Sequence, residues 1–136
     1  MSNLLQETAR AVQRGDFPAA ETLSRSALAA DPASEPALFF LAISLQYQGK
    51  LDAAIETYAR LTRLSPGTAV HWSNYGTALR EANRLDEAEA AYNEALALDS
   101  QTATPHINLG LLLIQRRDYL QAREKMLDAI DREPDL

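Results

Sequence analysis

Apolar side chains along the 136 residues recur at three- and four-residue steps, in bursts of about a dozen positions broken by short polar turns, the signature of amphipathic helices. The stretch Trp72–Tyr92, WSNYGTALREANRLDEAEAAY, repeats the layout of Leu38–Tyr58, LFFLAISLQYQGKLDAAIETY, at a displacement of 34 residues. Cut at that period, the chain divides into four blocks, 1–34, 35–68, 69–102 and 103–136. Numbering positions within each block, position 20 is Ala20, Ala54, Ala88 and Ala122; position 8 is Thr8, Ala42, Gly76 and Gly110. Position 24 is Ser24, Tyr58, Tyr92 and Met126, and position 32 is Pro32, Pro66, Ser100 and Pro134.

Each column has a physical reading. Positions 4, 7, 8 and 11 form one face of a first helix, and positions 20, 24 and 27 the facing side of a second. Small residues at 8 and 20 let the two axes approach, and the large residue at 24 fills the space beside them. Gly15, Gly49 and Asn83 mark an interhelix turn, since all three tolerate a left-handed backbone. Proline at 32 is expected to end the second helix. Ser34, Ser65, Thr68 and Thr102 are expected caps for the helix that follows.

This pattern resembles the tetratricopeptide repeat, four times over, and the resemblance covers the whole chain. Its third copy carries Trp72, Tyr75, Gly76, Leu79, Ala88, Tyr92 and Ala95, with Ser100 replacing the usual proline. The resemblance implies an all-α fold: a right-handed α-solenoid of four antiparallel helix pairs, in one domain spanning 1–136. First helices would line a concave groove through positions 2, 5, 6, 9, 12 and 13. In the second block these include Pro36, Phe39, Phe40, Ile43, Gln46 and Tyr47; Asn74 and Thr77 stand there in the third, and Asn108 and Leu111 in the fourth. Leu38 and Leu41 already hold the core columns, so Phe39 and Phe40 are not both expected in the intra-repeat core. Asn74 and Asn108 share position 6 and resemble the asparagine ladder of the O-linked N-acetylglucosamine transferase family, where a side-chain amide donates to and accepts from any peptide backbone. The carboxylate clamp of chaperone-binding members finds only Asn74 matched, so no chaperone-tail adaptor is expected.

Composition narrows the function. The formal net charge of −6 argues against nucleic acid as a partner, and the third block alone carries −4 (two bases, six acids). With no cysteine there is no thiolate chemistry, in keeping with a reducing compartment. The N-terminal MSNLLQETARAVQRGD lacks the basic start and apolar run of a signal peptide, and ALFFLAISL and LGLLLI are too short to cross a bilayer, so a soluble, cytoplasmic chain is expected. No catalytic motif emerges and no cofactor is expected. His71 and His106 read as packing residues, His106 with its polar tip near the surface. The expectation is a non-catalytic scaffold holding a peptide of a protein partner; the alternative is an N-terminal regulatory or substrate-recruiting arm of a larger enzyme, such as a glycosyl- or sulfotransferase.

The two end blocks depart from the pattern. Glu7, Thr8 and Ala11 make the first helix more polar, as a terminal cap requires. In the last helix Leu120 stands where other blocks have Pro18, Asp52 and Asp86, and Leu127 where they have Arg25, Ala59 and Asn93. With Tyr119 and Ile130 nearby, they form an apolar stripe. It awaits either further protein downstream or a second copy in a weak homodimer.

Overall fold

The computed structural model describes residues 3–134, and all the elements among them are helices. They are α1 (Asn3–Gln13), α2 (Phe17–Ala30), α3 (Glu35–Tyr47), α4 (Leu51–Leu64), α5 (Ala69–Glu81), α6 (Leu85–Leu98), α7 (Thr104–Gln115) and α8 (Tyr119–Arg132). Each 34-residue block contributes one pair. Two compact units are formed, Met1–Pro66 and Gly67–Leu136. In the first, α2 packs on both α1 and α3, and α3 on α4; in the second, α6 packs on α5 and α7, and α7 on α8.

The small columns account for the close pairing. Ala20, Ala54 and Ala88 are wholly buried and Ala122 is 3 % exposed. In the second unit the approach is tight enough that a Cβ on Gly76 would lie 2.6 Å from the Tyr92 ring. Tyr92 itself is fully buried, with its hydroxyl 2.9 Å from that of Thr77 and accepting from Arg80 Nε at 3.3 Å. The first unit repeats the device: buried Tyr58 donates to Gln46 Oε1 at 2.7 Å. A tyrosine in this column thus fills the space between its two helices and anchors its hydroxyl on position 12 of the first.

The turns follow the expected chemistry with one exception. Gly15 and Gly49 take φ of +77° and +76°, and Asn83 takes +60°. The fourth turn puts Arg117 in the same left-handed conformation, φ +63°, although a β-carbon is disfavoured there. The caps differ more from expectation. Ser34 does cap α3, accepting from Ala37 N at 3.3 Å. Thr68 stands at the N-cap of α5 without a side-chain capping bond, and Ser65 is instead the C-cap of α4. Thr102 donates to Asp99, while Ala103 stands at the N-cap of α7. Asp16 and Asp118 are the effective side-chain caps of α2 and α8, accepting from Ala19 N and Gln121 N. α6 ends at Leu98 although Ser100 replaces proline: the C-cap Asp99 is already non-helical (φ −145°), as are Asp31, Ser65 and Glu133 in the other blocks.

Successive repeats within a unit are tied by side chains as well. Phe17 of α2 stacks on Tyr47 of α3 with ring centroids 4.8 Å apart. Glu21 accepts from Gln48 at 3.0 Å and Lys50 at 2.8 Å. The second unit places a carboxylate in the same column: Glu89 of α6 accepts from Arg116 at 2.8 Å, and Arg116 also pairs with Asp86.

Candidate functional site

In the first unit the predicted groove residues lie on α3. Phe39 and Phe40 are both half-buried, their centroids 5.9 Å apart at an interplanar angle of 58°, and Ile43 is half-buried one turn on. Tyr47 remains 70 % exposed while its ring stacks on Phe17. The core columns Leu38 and Leu41 are buried, which leaves the two phenylalanines partly open, as their spacing implied. This gives α3 a strip of partly exposed aromatic and aliphatic surface.

In the second unit Asn74 of α5 and Asn108 of α7 are half-buried. Neither amide makes a hydrogen bond among the described residues. Asn74 lines a notch of about 320 Å³ together with Val70, Ser73, Thr104 and Pro105. Asn108 lies outside that notch, so the two amides do not share it. Val70 and Leu111 are exposed. Thr77 is turned to the repeat's own core, its hydroxyl donating to Ser73 O and meeting Tyr92.

Two carboxylates at the notch, Asp99 and Glu133, were not anticipated as site residues. Both are C-caps of second helices, one block apart, and Glu133 accepts from Ala103 N at 3.0 Å. Their shared position in the period was the available signal. Hydroxyl, amide and carboxylate groups around a short apolar floor suit hydrogen bonding to a polar chain; they supply no paired nucleophile and base. Among the described residues no three His, Cys, Asp or Glu side chains gather as metal ligands. His106 is more enclosed than its sequence position suggested: it is 4 % exposed, with Nε2 3.4 Å from Ser100 O. Ser100 O also accepts from Arg132 at 2.7 Å.

The predicted stripe on α8 is exposed: Tyr119 62 %, Leu120 84 %, Leu127 49 % and Ile130 48 %. At 100° per residue, however, Tyr119 and Ile130 point roughly 90° away from Leu120 and Leu127, so the helix carries two apolar edges rather than one.

Comparison with known proteins converges on one family. The tetratricopeptide repeat profile matches residues 41–103. The type IV pilus assembly protein PilF of Pseudomonas aeruginosa is 32 % identical over 118 residues, 83 % of this chain and 46 % of that protein. The peroxisomal targeting signal receptor of Candida albicans is 30 % identical over 81 residues, 60 % of this chain and 14 % of the receptor. The chain therefore spans less than half the length of the curated relatives it matches. Among solved structures, MamA from Desulfovibrio magneticus superposes with a TM-score of 0.92 at 20 % identity, over 97 % of this chain and 75 % of that one. The structure of Pseudomonas aeruginosa PilF gives 0.87 at 28 % identity, over 98 % of this chain and 61 % of its own. These superpositions establish the fold class, an all-α solenoid of helix pairs. With the four-fold column pattern, the buried alanine column and these relatives in agreement, the chain belongs to the tetratricopeptide repeat family.

Proposed function

We propose that the chain is a non-catalytic interaction module that holds an extended peptide segment of a protein partner against its first helices. The observation that carries this reading is the Asn74 amide, half-buried at a notch and without a hydrogen bond of its own among the described residues. A half-buried amide without a partner loses part of its hydration for no return, and a peptide backbone passing over it would supply both donor and acceptor. Asn108, at the same column of the next repeat, offers a second such contact. In the first unit, the partly open Phe39, Phe40 and Ile43 on α3, with exposed Tyr47, offer an apolar contact surface of their own. Asp99 and Glu133 at the notch favour an uncharged or basic segment over an acidic one. One relative is by its name a targeting-signal receptor, and peptide recognition by the present chain accords with that. Neither relative named above is by its name a glycosyl- or sulfotransferase.

The test is to select a binding peptide from a random display library and titrate it against the parent and an Asn74→Ala/Asn108→Ala variant. Each lost contact should cost about 1 kcal/mol, so affinity should fall by roughly tenfold or more with the unfolding midpoint unchanged. Equal affinity of the double variant would remove the asparagines from the site.

A further inference from the structure

The repeats themselves show what a stacked neighbour covers on a second helix and what it leaves open. α3 packs on α2 and α7 on α6. Under that cover, position 17 (Phe17, Leu85) and position 28 (Leu28, Leu96) are half-buried. Position 18 (Pro18, Asp86) and position 25 (Arg25, Asn93) stay exposed. On α8 the first two positions are Tyr119 and Ile130, and the second two are Leu120 and Leu127. A further helix stacked on α8 in the same manner would cover Tyr119 and Ile130 and leave Leu120, 84 % exposed, in water. The Leu120–Leu127 edge therefore requires a different occupant.

We propose that this outward edge of α8 is a self-association surface, on which a second copy of the chain pairs its own α8 in antiparallel orientation. Leu120, Arg123, Glu124 and Leu127 follow the i, i+3, i+4, i+7 spacing of one helix face. A two-fold axis between Arg123 and Glu124 sets Leu120 of one copy against Leu127 of the other. The same axis sets Arg123 against Glu124 twice over, which makes the face self-complementary. Both charges are exposed, and neither is in an ion pair within its own chain among the described residues. Arg117, exposed just before α8, approaches the second copy's Asp131 in the same geometry. The pairing needs no change in α8, since its opposite face, Ala122 and Ala129, stays buried against α7. Two leucines per copy bury little area, so the dimer is weak and concentration dependent.

Sedimentation velocity of the 136-residue chain across the micromolar to millimolar range tests this, with circular dichroism confirming that each variant is helical. The parent should show a monomer–dimer equilibrium. Arg123→Glu and Glu124→Arg should each raise the dissociation constant about tenfold or more, because each turns two attractive pairs repulsive. The double reversal Arg123→Glu/Glu124→Arg should return it to within about threefold of the parent, since the pairs re-form with exchanged signs. Leu120→Glu/Leu127→Glu should be monomeric, and Ile130→Glu should dimerise as the parent does. A parent that stays monomeric throughout would overturn the proposal. So would a dimer that ignores the single reversals, is not restored by the double one, or is lost in Ile130→Glu.

Discussion

Two glycines occupy the same column of successive repeats in the second unit, and adding one methyl group to each should give opposite results. A Cβ on Gly76 would lie 2.6 Å from Tyr92 Cδ1 and Cε1 and 3.2 Å from Cγ. That ring is fully buried and its hydroxyl is held by Thr77 and Arg80, so it cannot swing aside without losing those bonds. At Gly110 the obstacle is the end of Met126, with Cε at 2.6 Å and Sδ at 3.1 Å, and an unbranched thioether can turn away. Replacing glycine by alanine inside a helix gains about 1 kcal/mol in either place. Overpacking a fixed wall costs about 1–3 kcal/mol, and disturbing the tyrosine hydroxyl adds about 1 kcal/mol. Gly76→Ala should therefore be destabilising by about 1–3 kcal/mol, while Gly110→Ala should be neutral or stabilising by up to about 1 kcal/mol. Urea unfolding followed by the fluorescence of the single tryptophan, Trp72, reports on the unit that contains both sites. A Gly76→Ala midpoint equal to or above that of Gly110→Ala would refute the reasoning. It would mean that α5 and α6 can separate enough to admit the methyl group.

Two further tests address features outside the groove. Arg117→Gly should raise stability by about 1 kcal/mol, because glycine adopts the left-handed turn without the β-carbon penalty; a lower thermal midpoint would show that the arginine side chain contributes more than its backbone costs. Glu21 has its pKa lowered from 4.5 to about 2, chiefly by the hydrogen bond from Lys50 and then by those from Gln48 and Arg25, against partial burial that raises it. Its stabilisation is present above pH 4.5 and is lost as pH falls from there towards 2. Lys50 is half exposed, so solvent screening limits the effect to about 1–2 kcal/mol. The stability advantage of the parent over Glu21→Gln should shrink between about pH 6 and about pH 3, and a constant difference would remove the linkage.

What the sequence by itself determined is what repeats locally. A period of 34 residues with small residues at 8 and 20 is enough to place eight helices and to name the buried alanines, because helix pairing is decided by which face is apolar and how near the backbones come. Phe39 and Phe40 were legible as partly open for the same reason: their neighbours Leu38 and Leu41 already filled the core columns. The caps were less legible. Asp16, Asp118, Ser65 and Thr102 are all common capping types, and only backbone geometry distinguishes those that accept a helix N–H from those that do not. Contacts across 27 to 32 residues, such as Glu21 with Gln48 and Arg116 with Glu89 and Asp86, were invisible to any local pattern. The last helix shows the division most plainly. Its four apolar residues read as one stripe along the chain. Helical periodicity separates them into two edges, but only the packing of α3 on α2 and α7 on α6 shows which edge stacking covers and which it leaves bare, since the direction of a neighbouring helix is set by the tertiary structure.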